Sequence, residues 1–126
     1  VSINVVDESW LKEADRMGCV SGSQVDKSGA FAFTRGPLGS PLVDNAKISI
    51  ECIVDGMTEL EGFENFFCKV ENVFADESIL NEKGQISYDI FKPVLFEFPT
   101  YQYYVTGERV GDCRKMNVSA DSAIKG

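Results

Sequence analysis

Residues 46–54, AKISIECIV, alternate apolar and polar side chains from Ala46 to Cys52. No other stretch limits the fold so tightly. A period of two sends successive side chains to opposite faces of an extended chain, so Ala46, Ile48, Ile50, Cys52 and Val54 are expected to face a core and Lys47, Ser49 and Glu51 to face water. That is the signature of a half-buried antiparallel strand. Residues 63–75, FENFFCKVENVFA, read as a second strand with Phe66, Cys68 and Val70 on one side, reached through turns at Asp55-Gly56 and around Leu60-Glu61-Gly62. Two such neighbours predict a meander.

The remaining segments fit around this pair. VSINVV at the start reads as a further strand, and a chain that begins at Val1 rather than Met suggests a processed or truncated product. Asp7 to Met17, DESWLKEADRM, predicts one amphipathic helix with Asp7 as N-cap, Trp10, Leu11, Ala14 and Met17 on one face, and Gly18 as the stop. TRGPLGSPL is too rich in Gly and Pro for regular structure and predicts a long surface connection. DESILNEKGQISYDIF predicts a turn at Lys83-Gly84, with Asp76 or Ser78 capping a short helical turn. An aromatic segment, LFEFPTYQYYVTGERVG, is broken at Pro99 and punctuated by Gly107 and Gly111. The expected fold is mainly β: a partly closed, Greek-key-like β-barrel with helical additions, forming a single domain over residues 1–116 and a solvated tail over 117–126.

Composition then removes whole classes of function. With 126 residues, 44% hydrophobic and 11% aromatic, the chain can bury one core, and its 12 basic against 20 acidic residues give a formal charge of −8. Nucleic acid and anionic membranes reward clustered Lys and Arg, so neither is an expected partner, and no apolar run approaches the roughly 20 residues that span a bilayer. The chain has no histidine. Ser-His and Cys-His nucleophilic systems are therefore excluded within one chain, and the four cysteines, Cys19, Cys52, Cys68 and Cys113, lie too far apart to read as a zinc site. Reduced core cysteines and a cytoplasmic location follow, with no metal expected. The pairs Glu59/Glu61 and Asp76/Glu77 read as solvated faces rather than catalytic carboxylates, so no catalytic side chain is assigned. Any redox chemistry is left to a cofactor.

One turn stands out from this background. Residues 18–31, GCVSGSQVDKSGAF, set a lone Lys27 behind Ser21-Gly22-Ser23 and Asp26. Small residues with exposed backbone N–H groups and one cation suit a phosphate or the polar rim of a ligand. A surface lysine beside Asp26 has the same composition.

Four features in order break the tie. The Ser-Gly…Asp-Lys turn, the Pro-Leu…Glu-Cys strand, the strand followed by ADESIL, and Tyr-x-x-x-Gly-Glu-x-x-Gly at Tyr103–Gly111 together resemble the later part of the flavin reductase-like family, the FMN-binding split barrels, and its flavoredoxin-type members in particular. The likeness runs from about Ile3 to Cys113. It implies a split barrel, a homodimer with FMN between the barrel edge and the partner, and electrons supplied by a nicotinamide or a redox protein. It also implies that the chain is either a C-terminal portion of a longer protein or a shortened relative with an incomplete flavin site, because the earlier strands and the Thr-x-x-Asn helix start that embrace FMN in the family do not occur in it.

The resemblance assigns roles to individual residues. Lys27 falls on the family lysine that approaches the flavin, with Ser21, Gly22 and Asp26 shaping its turn. A family histidine near the flavin falls at or near Phe63, so its hydrogen bond is lost and ring stacking or packing takes its place. Tyr103 falls on the aromatic that packs by the flavin or dimer edge, with Tyr101 and Tyr104 as competitors. A non-catalytic flavin-binding or structural dimer module is the alternative reading.

Overall fold

The computed structural model describes residues 1–116, so the expected tail over 117–126 lies outside the described residues. Seven strands and one α-helix follow in the order β1 (Ser2–Asn4), α1 (Leu11–Gly18), β2 (Phe33–Arg35), β3 (Pro41–Val43), β4 (Ile48–Leu60), β5 (Phe63–Ala75), β6 (Val94–Glu97) and β7 (Gln102–Val105). They form a sheet β1-β4-β5 and two separate hairpins, β2-β3 and β6-β7, all antiparallel and not closed into a barrel.

The alternating strand is present, but it is longer than its pattern. β4 pairs with β5 from Ile48↔Ala75 to Leu60↔Phe63, and passes straight through Asp55-Gly56, where a turn was expected. A register shift between Val54 and Gly56 absorbs that dipeptide as a bulge, which lets the strand bend without ending. The reversal falls on Glu61 (φ 51°) and Gly62 (φ 81°). Two successive residues in the left-handed region make the tight turn whose twist matches antiparallel strands.

The two faces of β4 also differ from expectation. Ile48 and Cys52 are buried as the pattern requires, and Ile48 joins Ile79 and Phe91 in a small core flanked by Val5, Ile50, Ala75 and Ile86. Ser49 and Glu51, assigned to water, are buried too, and Val54, assigned to the core, is exposed. The reason is a polar layer beneath the 36–43 segment. Asn4 Oδ1 accepts from Ser49 Oγ (2.8 Å) and from the Val43 N–H (2.9 Å). Glu51 has 0% exposure; its carboxylate accepts from Ser40 Oγ (2.7 Å), Asn72 Nδ2 (3.0 Å) and the Leu38 N–H (3.2 Å). A buried carboxylate survives only with such partners. Gly36 leaves room for it, because a Cβ there would lie 2.2 Å from Glu51 Oε1.

TRGPLGSPL, expected to be irregular, contains the β2-β3 hairpin. Phe33↔Val43, Thr34↔Leu42 and Arg35↔Pro41 pair across a loop in which Gly39 takes φ 79°. Pro41 is tolerated because it begins an edge strand, where the missing N–H costs no ladder bond. Cys68 is exposed on β5, whereas Cys52 is the buried thiol.

The helix starts later than the sequence suggests. Asp7 forms an isolated bridge with Pro93 and its Oδ1 accepts from the Ser9 N–H (2.8 Å), so it organises the approach to α1 rather than capping it. Trp10 precedes the first turn, 4% exposed, with its ring edge-on to Phe31 at 5.5 Å between centroids. The Asp76 expectation holds: its Oδ1 accepts from the Ser78 N–H (2.8 Å) at the start of a 3-10 turn, Glu77–Ile79. Gly84, with φ 72°, lies in the expected turn.

Candidate functional site

The last turn of α1 is where separated parts of the sequence converge. Cys19 closes the helix by donating its N–H to the Asp15 carbonyl (3.0 Å), which leaves later carbonyls without helical partners. Lys27 Nζ donates to one of them, Met17 O, at 2.7 Å. A cation at a helix C-terminus also meets the negative end of the helix dipole, so this contact accounts for the position of Lys27 without any ligand. An ammonium has three donors, however, and this is the one hydrogen bond that Lys27 Nζ makes among the described residues.

The turn leading to Lys27 is built from its own polar groups. Ser21 O accepts from the Gln24 and Val25 N–H groups, both at 3.0 Å, and Ser21 Oγ lies 2.8 Å from Ser23 Oγ. Asp26 Oδ1 accepts from the Ser28 N–H at 2.9 Å, and hydrogen bonds from the Ser28 backbone and side chain hold the Asp26 carboxyl below its ordinary range. Gly22 has open space around the position of a Cβ, so its place in the turn follows from the path of the loop rather than from a close approach.

Tyr103 reaches the same helix from the other end of the chain. Its hydroxyl donates to Asp15 Oδ1 at 2.7 Å, and this hydrogen bond, followed by burial and the charges of Asp15 and Cys19, pushes the phenol pKa up. Its competitors behave differently. Tyr104 donates to Gln102 within the same strand (2.6 Å), and Tyr101 occupies the turn at φ 53°. Phe96 backs Tyr103 at 5.1 Å between ring centroids.

Lys27 also borders an apolar cavity of about 320 Å³, whose walls are Phe31, Phe33, Pro41 and Val43, with Ser28 beside the lysine. Three of those walls come from the β2-β3 hairpin. A flat ring against Phe and Pro with an anionic substituent at the lysine is the ligand chemistry this donor set suits, and FMN has both parts. A larger open cleft of about 610 Å³, lined by Lys47, Phe91 and Lys92 among others, holds none of the expected site residues. Its lysines are engaged, Lys47 with Asp76 (3.8 Å) and Lys92 with Gly107 O (3.0 Å).

The structure therefore brings Lys27 and Tyr103 to one helical turn, with Ser21, Gly22 and Asp26 in the loop between α1 and Lys27. Phe63 is elsewhere. It lies at the far tip of the β4-β5 hairpin opposite Leu60, 73% exposed, and has no aromatic partner among the described residues. Sequence reasoning missed Asp15, Phe31 and Phe33. No local pattern marks Asp15, because its partner lies 88 residues away.

Residues 1–104 match the profile of the family described as flavin reductase like domain, and the chain belongs to that family. Its structure is similar to the crystal structure of flavoredoxin from Methanosarcina acetivorans (28% identity, TM-score 0.85), covering 91% of this chain and 62% of that one. It is also similar to flavoredoxin of Desulfovibrio vulgaris (Miyazaki F), at 24% identity and TM-score 0.79, covering 91% and 63%. A third similar structure is an FMN-binding protein from Thermus thermophilus with bound 1-cyclohex-2-enone, at 21% identity and TM-score 0.71, covering 88% and 60%. The latter two likenesses establish the split-barrel fold alone. The chain thus spans about 62% of the length of the first of these relatives. Comparison with curated proteins finds no match. No helix among the described residues is long and apolar enough to cross a membrane.

Proposed function

We propose that this chain belongs to an FMN-binding oxidoreductase of the flavin reductase or flavoredoxin type, passing electrons between a nicotinamide or redox-protein donor and FMN. The observation that carries the reading is that Lys27, hydrogen-bonded to the last turn of α1 and with donors to spare, borders an apolar cavity in a chain whose residues 1–104 match the family. When bound, FMN supplies the hydride and electron chemistry, which is why a chain without histidine needs no catalytic base. The protein's part is to bind and orient. Lys27 offers its remaining N–H donors to an anionic group, the 21–26 loop holds the lysine stem in place, and Phe31, Phe33 and Pro41 exclude water from one face. Phe63, on the exposed hairpin, contributes to the same site only where a partner subunit brings it there.

A homodimer is part of this reading. The far half of the β4-β5 hairpin exposes Leu60, Phe63 and Phe67 on one face and Met57, Phe66 and Val70 on the other, apolar surface that a partner subunit would cover. The same surface favours the second reading, a flavin-binding or structural dimer module without turnover. The domain is taken as residues 1–116 and the location as cytoplasmic, where free thiols such as Cys52 persist.

The test is direct. FMN titrated against wild type and Lys27→Ala is expected to bind about tenfold to a hundredfold more weakly to the variant, the worth of one charge-assisted hydrogen bond. Circular dichroism of the variant checks that α1 survives loss of the Met17 contact. Equal affinities would leave Lys27 as a helix cap only. Bound FMN without oxidation of added NADH or NADPH would favour the non-catalytic module.

A further inference from the structure

We propose that Asp15 is the positioning residue for Tyr103: by accepting its hydroxyl hydrogen bond, Asp15 fixes the tyrosine so that its ring, and not its O–H, is what a bound flavin meets. The inference rests on the flavin-binding reading above for its consequence, and on geometry for its basis. Apart from its ladder with β6, strand β7 makes one hydrogen bond to another element among the described residues, Tyr103 Oη to Asp15 Oδ1 at 2.7 Å. The second carboxylate oxygen is not idle, because Cys19 Sγ lies 3.9 Å from Oδ2. Asp15 therefore has one side chain on the thiol that follows the helix and on the phenol of the last hairpin, while its carbonyl takes the Cys19 N–H. Lys27 holds the same turn two residues further on, through Met17 O.

The chemistry that follows is specific. A phenol has a single proton to donate, and a carboxylate is a stronger acceptor than a flavin carbonyl, so the Tyr103 O–H is committed to the helix. What remains for a ligand is the ring, backed by Phe96 at 5.1 Å between centroids, which suits stacking or edge contact with a flat heterocycle. Asp15 acts through Tyr103 and touches no ligand itself.

The experiment combines a coupling measurement with a ligand-free one on the full 126-residue chain. FMN affinity is measured for wild type, Asp15→Ala, Asp15→Asn, Tyr103→Phe and the Asp15→Ala/Tyr103→Phe pair. Each of Asp15→Ala and Tyr103→Phe is expected to weaken binding about fivefold, with the double variant no weaker than either alone, because both remove one and the same bond. Asp15→Asn keeps an acceptor oxygen and is expected to stay within about twofold of wild type. Losses that add in the double variant overturn the proposal. Without flavin, ultraviolet titration of the phenols is expected to lose its raised tyrosine in Tyr103→Phe and to show that tyrosine fall in both Asp15 variants, since the hydrogen bond to Asp15 and the Asp15 charge both raise it. A wild-type titration curve in Asp15→Ala overturns the proposal as well. If wild type binds no FMN, the flavin reading fails, and the phenol titration alone upholds or overturns the Asp15–Tyr103 link.

Discussion

The two halves of the β4-β5 hairpin share one ladder and both carry many apolar residues, yet only one half contributes to a core. Near the open end, β1 lies beside β4 from Ser49 to Glu51, Ile79 and Phe91 cover one face, and the 36–43 segment covers the other. Near the tip, beyond Cys52, β4 has no strand on its outer side among the described residues, and Leu60, Phe63 and Phe67 stand 67%, 73% and 61% exposed. Hydrophobic residues do not make a core by being present. They make one when other elements remove them from water, and here the coverage stops where β1 stops.

The largest expected contrast comes from equivalent truncations in the two halves. Ile48→Ala, in the covered half, is expected to cost about 3 kcal/mol, the usual loss for a buried aliphatic side chain with a cavity left behind. Phe67→Ala, in the uncovered half, is expected to change the stability of the monomer by no more than about 0.5 kcal/mol while weakening self-association. Urea unfolding at low and high protein concentration measures both. A concentration-independent loss of several kcal/mol for Phe67→Ala would show that the tip is covered within one chain.

A smaller effect is expected at the floor of the covered half. Gly36→Ala would push a methyl into the Glu51 carboxylate, which cannot swing aside because Ser40, Asn72 and the Leu38 N–H hold it. The expected cost is about 2 kcal/mol, typical of overpacking. A thermal midpoint equal to wild type would mean that the segment yields and that the polar layer is soft.

The subtlest difference is in pH. Burial works to raise the Glu51 pKa, but the hydrogen bonds from Ser40, Asn72 and Leu38 outweigh it and hold the group below its ordinary 4.5. Because the folded value lies below the unfolded one, Glu51 contributes stability above pH 4.5 and loses it as the pH falls through the folded value. Asp76, held down mainly by hydrogen bonds from Ser78, adds to the same acid limb from outside the polar layer. Glu51→Gln is therefore expected to flatten the decline of stability with acid below pH 4.5. An unchanged acid limb would assign it to Asp76 and Asp26 instead.

Strands β1, β4 and β5 were legible because strand signals are local, whereas β6 and β7 were read only as an aromatic segment broken at Pro99. Alternation located β4, the aromatic and β-branched run located β5, and Asp76 marked its own turn through a hydrogen bond two residues away. The β2-β3 hairpin was hidden because its Gly and Pro residues signal breaks, while two short strands need only three pairs to form between them. Of the site, the Lys27 turn was visible as a cluster of small residues around one cation. The Tyr103 contact was visible only through family likeness, and Asp15 not at all.

What the sequence by itself determined, then, is every feature decided within a few residues: the strand identity of 48–54, the helical face of Leu11, Ala14 and Met17, the turn at Gly84, and the acidic, histidine-free composition. What only the tertiary structure decided is which side of β4 becomes interior and which partners the charged groups find. Glu51 lies on the polar face of an alternating strand and is nonetheless the most buried side chain, because a segment 11 to 15 positions earlier folds over it and supplies donors. Lys27 and Tyr103 meet one helical turn from opposite directions in the chain. Alternation specifies two faces, and coverage, which depends on distant residues, specifies which of them meets water.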